Sequence, residues 1–524
     1  MPFLVYFAPT LLCGSLVTAA VLIPLIVAAN LVRRLVSDAG IPAHLPWAGV
    51  GPNSGRLSRA RANLTSIFGL KRLLDQGYTE YSKKGQAYVL PHILTGPEVV
   101  LPLSQARWLV EQPDSVMSQT EVNRQFLEAD HTFLHPNIVR EPVHPQVIQR
   151  ELTHRLDSFA DDILEELNDC FIANWGTDTE NWKEVHIYET MLDTISRLST
   201  RVFVGKSLCQ NKGFLKSARN FDRNVVVSAA GLNLLPGFLK PLFGPILTIY
   251  DYLQYKTLAK FVLPSIRERL ASVNEKEKLP LYDDKKPNDY IQWAIDHAQA
   301  HWDPTELTDT VIARRLACLC FAAIQSSVIS LTNTIFDLAS SPHCAEWLDA
   351  MRDQVVALVA AEAEAEEGGE ERARSAWGSK ASLARATRVD SALRESMRLN
   401  GFVARGIMKM VTAPGGCVLP DGTSLPRGTK VGVQAYSVHR DEEIYGEAER
   451  YDVFRFVSPS SSSSPSSSSS SGEASLSLSG SDESDEGASR RRRGGQGKSN
   501  KGQPQALVST SLTFLAFSHG PNAW

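Results

Sequence analysis

No charged side chain appears in this chain before Arg33. Within the uncharged stretch Met1 to Val32, the segment from Leu11 to Val32 (LLCGSLVTAAVLIPLIVAANLV) is long enough to cross a bilayer as a helix. Such a run leaves two choices: it lies in lipid as a helix that satisfies its own backbone, or it is a leader that is cut away. The leader reading would place a cut near Ala28-Ala29, but no basic residue precedes the run and the run is too long for one. Arg33 and Arg34 follow at once, and Arg56, Arg59 and Arg61 lie just beyond. Basic flanks stay on the cytosolic side, so a single-pass anchor with its body in the cytosol is expected. Pro24 is tolerable inside a membrane helix. In that topology the sequon Asn63-Leu64-Thr65 never meets the glycosylation machinery.

The rest of the 524 residues can build a real core, with 43% hydrophobic and 21% charged side chains. A net charge of −4 gives no reason to expect a nucleic-acid partner. The seven cysteines, Cys13, Cys170, Cys209, Cys318, Cys320, Cys344 and Cys417, are scattered and form no C-x-x-C pair. Neither a disulfide framework nor a zinc site is expected, and a reducing compartment suits them better.

Three stretches follow the anchor, residues 1–36. Residues 37–62 are rich in proline and glycine, from Ile41-Pro42-Ala43-His44-Leu45-Pro46-Trp47 onward, and read as a stiff extended hinge. The body, residues 63–524, is mostly helical up to about residue 400, with long apolar periodic runs and few turn clusters. From 401 to 456 short strands are expected at Ile407–Val411, Cys417–Leu419 and Lys430–Val433, with a tight turn at Pro420-Asp421-Gly422. Two segments look inserted. Ala360–Arg374 is an Ala/Glu run, helical by propensity and solvated by charge. Ser458–Gln505 holds a serine tract, an acidic patch and Arg490–Arg493, so disorder is expected because nothing in it can bury apolar surface.

Three segments of the body carry chemistry. The first is a helix expected to start near Asp303-Pro304-Thr305-Glu306, a cap followed by proline at the first helical position, and to reach about Ser340. It is uncharged from Leu316 to Phe336 but too polar for a second span, so a buried core helix fits it better. At its centre stand Phe321-Ala322-Ala323-Ile324-Gln325-Ser326-Ser327. Two alanines would let a flat ligand approach the backbone, and the amide and hydroxyls could hold water. The bland alternative is that alanine packs helices closely and serine bonds back to the preceding turn. The second segment is Leu393-Arg394-Glu395-Ser396-Met397-Arg398-Leu399, with a helix stop at Asn400-Gly401. Glu395 and Arg398, three apart, share a face. Most such pairs are exposed and worth little, but apolar neighbours surround this one, and Arg455 is a candidate third member. The third segment is Phe514-Leu515-Ala516-Phe517-Ser518-His519-Gly520-Pro521-Asn522-Ala523-Trp524, which taken alone is an apolar run leading into a turn.

Together and in this order, these segments resemble the cytochrome P-450 family. Phe321–Ser327 is similar to that family's oxygen-binding helix, Glu395 and Arg398 to its E-x-x-R pair, Arg455 to the arginine that completes the triad, and Phe517–Ala523 to the approach to its haem ligand. The wording of Phe321–Ser327, Ala392–Leu399 and Gln434–Asp441 looks most like fungal enzymes of secondary metabolism near the ent-kaurene-oxidase-like branch. The resemblance covers essentially the whole chain. It implies a mainly α fold with small β-sheets, a microsomal anchor in the endoplasmic reticulum membrane, and haem b with its iron as cofactor. It also implies a monooxygenase acting on a lipophilic small molecule, a terpenoid or another secondary metabolite. Electrons would come from NADPH through a separate NADPH–cytochrome P-450 reductase, with cytochrome b5 as a further donor. No flavin or dinucleotide fingerprint is visible in this chain. Residue by residue, the resemblance puts Ala322 and Ala323 beside bound oxygen. Gln325, Ser326 and Ser327 would order water for proton delivery. Glu395, Arg398 and Arg455 would be structural, and Arg405 would stand near a haem propionate, as a planar guanidinium suits a carboxylate. His144 or Arg150 could serve the same end from an earlier helix. His519, Gly520 and Asn522 would belong to the haem-side loop.

The chain departs from the pattern in several places. Gln325 replaces the commoner carboxylate, Ser326 the commoner threonine, and Asn522 a basic residue. Above all, Trp524 holds the position of the ligating cysteine, and the sequence stops there, before the helix that would follow. Thiolate donation is what splits the O–O bond, and an indole offers a metal no free lone pair. The expectation is therefore a family member whose C-terminal part is missing. Either the gene has been read short, or the product is a truncated, catalytically dead membrane protein.

Overall fold

A computed structural model of the chain describes residues 22, 24–51, 55–135, 137–275, 286–365, 380–457, 506–520 and 523. Most of the expected anchor, the insert 458–505, the second half of the Ala/Glu run, Asn522 and Trp524 lie outside them.

Helices dominate, as the long apolar periodicities led one to expect. Those that position the site are α1 (Leu70–Glu80), α2 (Gln119–Phe126), α3 (Ile187–Val204), α4 (Lys212–Leu234), α5 (Lys240–Leu247), α6 (Ile249–Glu275), α7 (Asp309–Ala339), α8 (Cys344–Ala365) and α9 (Thr387–Asn400). The main sheet has the order β1-β2-β7-β4-β3, with β1 at Tyr88–Leu90, β2 at Glu98–Val100, β3 at Met117–Ser118, β4 at Arg405–Val411 and β7 at Lys430–Gln434. Only the β2–β7 pairing is parallel; the others are antiparallel. A hairpin of β5 (Cys417–Val418) and β6 (Ser424–Leu425) stands apart. Its turn is made by Asp421, which accepts from the Thr423 N–H at 2.9 Å, and by Gly422 at φ +87°. That conformation suits glycine because it has no Cβ.

Two cores result. The larger lies among α3, α4, α6 and α7, with Phe214, Phe221, Leu258, Ile266, Leu316 and Ile324 inside. The smaller underlies the main sheet and takes in Val89, Val99, Ile407, Val431 and Leu515. The sequence pattern suggests a stiff extended hinge over residues 37–62, but its end is already helical, in Arg56–Phe68, and its start is packed down. Ile41, Leu45, Trp47 and Ala48 are buried. The Ala48 N–H reaches Val89 O at 2.9 Å, so the apolar residues between the prolines act as an added edge to the sheet. Ahead of it, residues 24–36 are helical and are clasped by the end of α4: Asn30 donates to Leu234 O at 3.2 Å and Arg34 to Asn233 O at 2.6 Å. The sequon asparagine, Asn63, is buried and donates to Leu35 O at 2.9 Å, leaving no room for a glycan in the folded protein.

The start of α7 differs from expectation. Asp303 does cap a turn, accepting from the Thr305 and Glu306 N–H groups at 2.9 and 3.3 Å, but the helix begins only at Asp309. The reason is Glu306. Its carboxylate turns inward to Arg315, with two bonds of 2.5 Å, and the turn is drawn off the helix axis. Among the described residues, α7 is the one helix long and apolar enough to cross a membrane, and its first half is buried inside the protein.

Candidate active site

The central helix α7 is buried without a break from Arg315 to Cys320. Its burial ends at Ala322, which is exposed, while Ala323, Gln325 and Ser326 are half-buried and Ser327 is exposed. The exposure is one-sided and not a frayed end, because Ile324 and Val328 on the other face are fully buried. From the opening onward the hydroxyls turn back onto the helix. Ser326 Oγ donates to Ala322 O at 3.0 Å, Ser330 to Ser326 O at 2.9 Å and Thr334 to Ser330 O at 2.8 Å. This is the ordinary behaviour of such residues in helices. It leaves the lone pairs of Ser326 Oγ as acceptors. Gln325 Nε2 donates to Tyr188 Oη at 2.9 Å, which holds the amide to α3.

Before the opening, Arg315 is held by Glu306, by Glu141 O at 2.9 Å and by His144 Nδ1 at 3.3 Å. Burial, and then Arg315, push the His144 imidazole down to about 3, so it is neutral and accepts from the guanidinium. His144 therefore serves this internal pair. Arg150 is mostly exposed beside Glu151.

The helix α9 carries the second constellation. Glu395 and Arg398 are fully buried and joined by two bonds, Nε to Oε2 at 2.7 Å and Nη2 to Oε1 at 2.8 Å. Arg455 Nε reaches Glu395 Oε1 at 2.9 Å, and the Asp452 N–H adds a bond of 3.1 Å. Arg398 Nη1 donates to the carbonyls of His439 and Ala448, and Nη2 to that of Arg450. A guanidinium has five N–H groups, and all five have acceptors here. A buried ion pair persists only when its remaining donors are filled in this way.

The third constellation docks on the second. Leu515 N donates to His439 Nε2 at 2.8 Å, and His439 Nδ1 lies 3.1 Å from Arg398 O. Both bonds are made only by a neutral imidazole with its proton on Nδ1, consistent with burial holding His439 down to about 3. The Phe514 ring stacks on His439 and lies 3.7 Å from the Arg394 guanidinium. Arg394 also donates to Ala506 O and Ser509 O at 2.8 and 2.7 Å. Tyr445 Oη donates to Thr513 O at 2.9 Å. Residues 506–520 are thus tied to α9 although forty-eight positions, 458–505, intervene in sequence. Phe517 packs edge-on to Phe402, just past the end of α9. His519 Nδ1 lies 3.0 Å from Thr510 Oγ1. Gly520 sits at φ +100°, where a Cβ would come within 2.7 Å of Val110, so no other residue fits without displacement.

Arg405 opens β4 and donates to Glu98, which is buried. Its Nε and Nη2 make no hydrogen bond among the described residues. Arg394 and His439 were not singled out from sequence. The only signals were an arginine beside the E-x-x-R pair and a lone histidine after a strand, and neither pattern says that a distant loop will land on it.

Comparison with known proteins covers the first two of these segments. A family model described as Cytochrome P-450 matches residues 123–471. Among curated proteins, the cytochrome P-450 monooxygenase gloP of Glarea lozoyensis is 30% identical over 419 residues, which is 78% of this chain and 74% of the relative. The cytochrome P-450 monooxygenase polB of Polytolypa hystricis is 29% identical over 424 residues, 79% of this chain and 76% of that protein. The cytochrome P-450 monooxygenase ecdH of Aspergillus rugulosus is 27% identical over 451 residues, with 86% and 83% covered.

Proposed function

This chain belongs to the cytochrome P-450 family, and from that premise we propose that its site inserts one oxygen atom of O2 into a lipophilic small molecule, a terpenoid or another fungal secondary metabolite, with electrons from NADPH. The opening at Ala322 carries the proposal. A flat ring can lie against a helix backbone only where side chains stop at Cβ, and α7 has two such residues where its burial ends.

The described residues suit the haem ring and leave the iron ligand elsewhere. Ala322 and Ala323 would offer the ring a flat apolar stretch of α7, and Phe402, 43% exposed beside Phe517, is a further apolar group next to the 506–520 loop. No described thiol suits the iron. Burial pushes Cys318 and Cys320 up to about 12, and Cys170 and Cys209 up to about 11 and 12, so all four are neutral. None of the six described cysteines lies on the 506–520 segment. When bound, a haem-thiolate iron supplies O–O cleavage and oxygen insertion. The chain's own residues do the rest. Ser326 Oγ, whose own proton is held by Ala322 O, would accept a hydrogen bond from an ordered water. Gln325, tied to Tyr188 through Nε2, presents its amide oxygen to the same water. Arg405 has two nitrogens to offer a propionate. Glu395, Arg398, Arg455, Arg394 and His439 keep the 506–520 loop in register. Membrane anchoring through Leu11–Val32 in the endoplasmic reticulum, with the body at 63–524 facing the cytosol, lets substrate enter from lipid and a separate reductase, aided by cytochrome b5, dock from the other side.

One observation favours a second reading, a membrane-bound protein that does not turn over. Trp524 holds the place the resemblance gives to the ligand. The transcript read past the codon for Trp524 separates the two. Cys-x-Gly and a further helix in frame support the monooxygenase, and that longer protein gives a thiolate-type carbon monoxide spectrum. A stop directly after Trp524, with no such spectrum from the full chain, supports the inactive protein.

A further inference from the structure

Away from α7 the described residues enclose a polar cavity of about 410 Å³. It lies where the stem helix 24–36, the β1–β2 loop, the end of α2, the end of α4 and α5 converge, with Lys430 of β7 at its back. Most charges around it are matched. Glu128 is paired with Lys240 at 2.5 Å, Asp130 is held by both Arg124 and Arg140, and Arg405 holds Glu98. Two cations, Arg34 and Lys430, make no direct ion pair with a carboxylate among the described residues, although Glu98 and Glu128 act on them from farther off. Arg34 Nη1 has only the carbonyls of Leu94 and Asn233, each at 2.6 Å. Lys430 Nζ has only Thr95 O at 2.5 Å. Burial lowers the Lys430 pKa; nearby Glu98 offsets this in part, while Arg405 and Arg34 push it down further, so Arg34 and Lys430 repel each other across the same space. Charge-matched oxyanion oxygens are what such a pair lacks.

The surroundings say where the anion comes from. The short helix α5, with Gly237 just before it, faces the cavity with Lys240 and faces outward with apolar side chains. Phe238 is 71% exposed, Leu242 65% and Ile246 59%. Exposed apolar groups of this size in one patch mark a surface that meets something apolar. Arg34 itself is the second charged residue after the uncharged N-terminal run. We propose that this cavity binds the phosphate of an acidic phospholipid between Arg34 and Lys430, with the acyl chains along Phe238, Leu242 and Ile246. The proposal rests on the reading that the chain is held at a membrane.

The test uses the full-length protein in micelles of an uncharged detergent. Short-chain phosphatidic acid, the matching phosphatidylcholine and inorganic phosphate are titrated separately, and the unfolding midpoint is followed. Phosphatidic acid is expected to raise the midpoint saturably and phosphatidylcholine to leave it unchanged. Arg34→Gln and Lys430→Gln should each weaken the apparent affinity about fivefold, the worth of one cation near an anionic headgroup. Lys216→Gln, an exposed charge elsewhere on α4, should not weaken it. Equal affinity for phosphatidic acid in the Arg34→Gln/Lys430→Gln double variant, with its circular dichroism intact, overturns the site. Inorganic phosphate binding as tightly as phosphatidic acid overturns the lipid assignment. Fractionation of cells keeps the membrane reading separate: full-length protein found soluble, yet still binding phosphatidic acid through Arg34 and Lys430, sinks that reading and supports the site.

Discussion

Glu395 is the residue on which most of the interior depends. Both of its oxygens are taken by buried or half-buried arginines and by the Asp452 N–H, and it has no exposed surface at all. Removing it strands Arg398 as an unpaired buried charge, which costs about 3–5 kcal/mol. Glu395→Ala is therefore expected to lower the unfolding midpoint by about 3–5 degrees, on the order of what that energy implies for a domain this large, or to yield insoluble protein. Glu395→Gln, which keeps the shape but not the charge, should be intermediate. A midpoint unchanged in Glu395→Ala would show that the arginines find other partners. Gly520 makes a smaller, local demand. Gly520→Ala strains a left-handed backbone position and forces Val110 aside. About 1–2 kcal/mol of destabilisation is expected, read from denaturant midpoints. Ser326 should behave in the opposite way. Ser326→Ala removes a bond made within the helix, so its stability should change by less than about 1 kcal/mol. In the longer, haem-loaded protein of the first reading, the same change should waste reducing equivalents as peroxide, measured as peroxide formed per NADPH consumed. Tight coupling in that variant would exclude Ser326 from proton delivery.

At the level of elements, the notable arrangement is a loop held by groups remote in sequence. Arg394 and Asp390 of α9, with His439 and Tyr445 after β7, take five hydrogen bonds from or to residues 506–515. Gly406 in β4 completes the seat, because a Cβ there would come within 2.6 Å of Leu515. The β4 register is irregular at that point, between Arg405 and Ile407, which turns the backbone toward the loop. Arg394→Met keeps much of the apolar contact with Phe514 but loses both carbonyl bonds. Hydrogen exchange at Leu507 and Leu515 is expected to speed up by at least tenfold in that variant while α7 stays protected. Uniform loss of protection would mean that Arg394 supports the whole fold instead.

For the whole molecule, pH acts through two opposed sets of buried groups. His144 and His439 are both held near 3, against 6.5 when free. Between those values the unfolded chain binds more protons, so their contribution is lost as pH falls from about 6.5 toward 3. Asp222 and Asp251 are pushed up by burial to about 7 and about 6, against 3.8 when free. For them the folded chain binds more protons, so their contribution is lost as pH rises through that range. Each group acts with a slope near 1.4 kcal/mol per pH unit inside its window. Asp222→Asn/Asp251→Asn should therefore gain stability over the parent progressively from pH 4 to about 7, as measured by unfolding midpoints. A gain that is constant with pH would mean that the two carboxyls are not protonated in the folded protein.

Much of this protein is local in origin and was legible in one dimension. Long apolar periodicities become helices, proline-and-glycine punctuation becomes the β5–β6 turn, and a spacing of three puts Glu395 and Arg398 on one face of α9. Each follows from backbone geometry over a few residues. The E-x-x-R pair, the small residues of α7 and the Phe–Gly loop also carried the family likeness without any fold. What sequence left open depends on which distant surfaces meet. Glu306 turns to Arg315 rather than extending α7, because a buried guanidinium needs a carboxylate more than the helix needs one more turn. Residues 41–48 pack on the sheet instead of spanning a gap, because Ile41, Leu45 and Trp47 find an apolar edge there. His439 is neutral and joins the 506–520 loop to the arginine pair, and Arg34 with Lys430 is left facing one cavity. Burial, desolvation and charge balance decide each of these, and all three are properties of the packed chain and not of any short stretch within it.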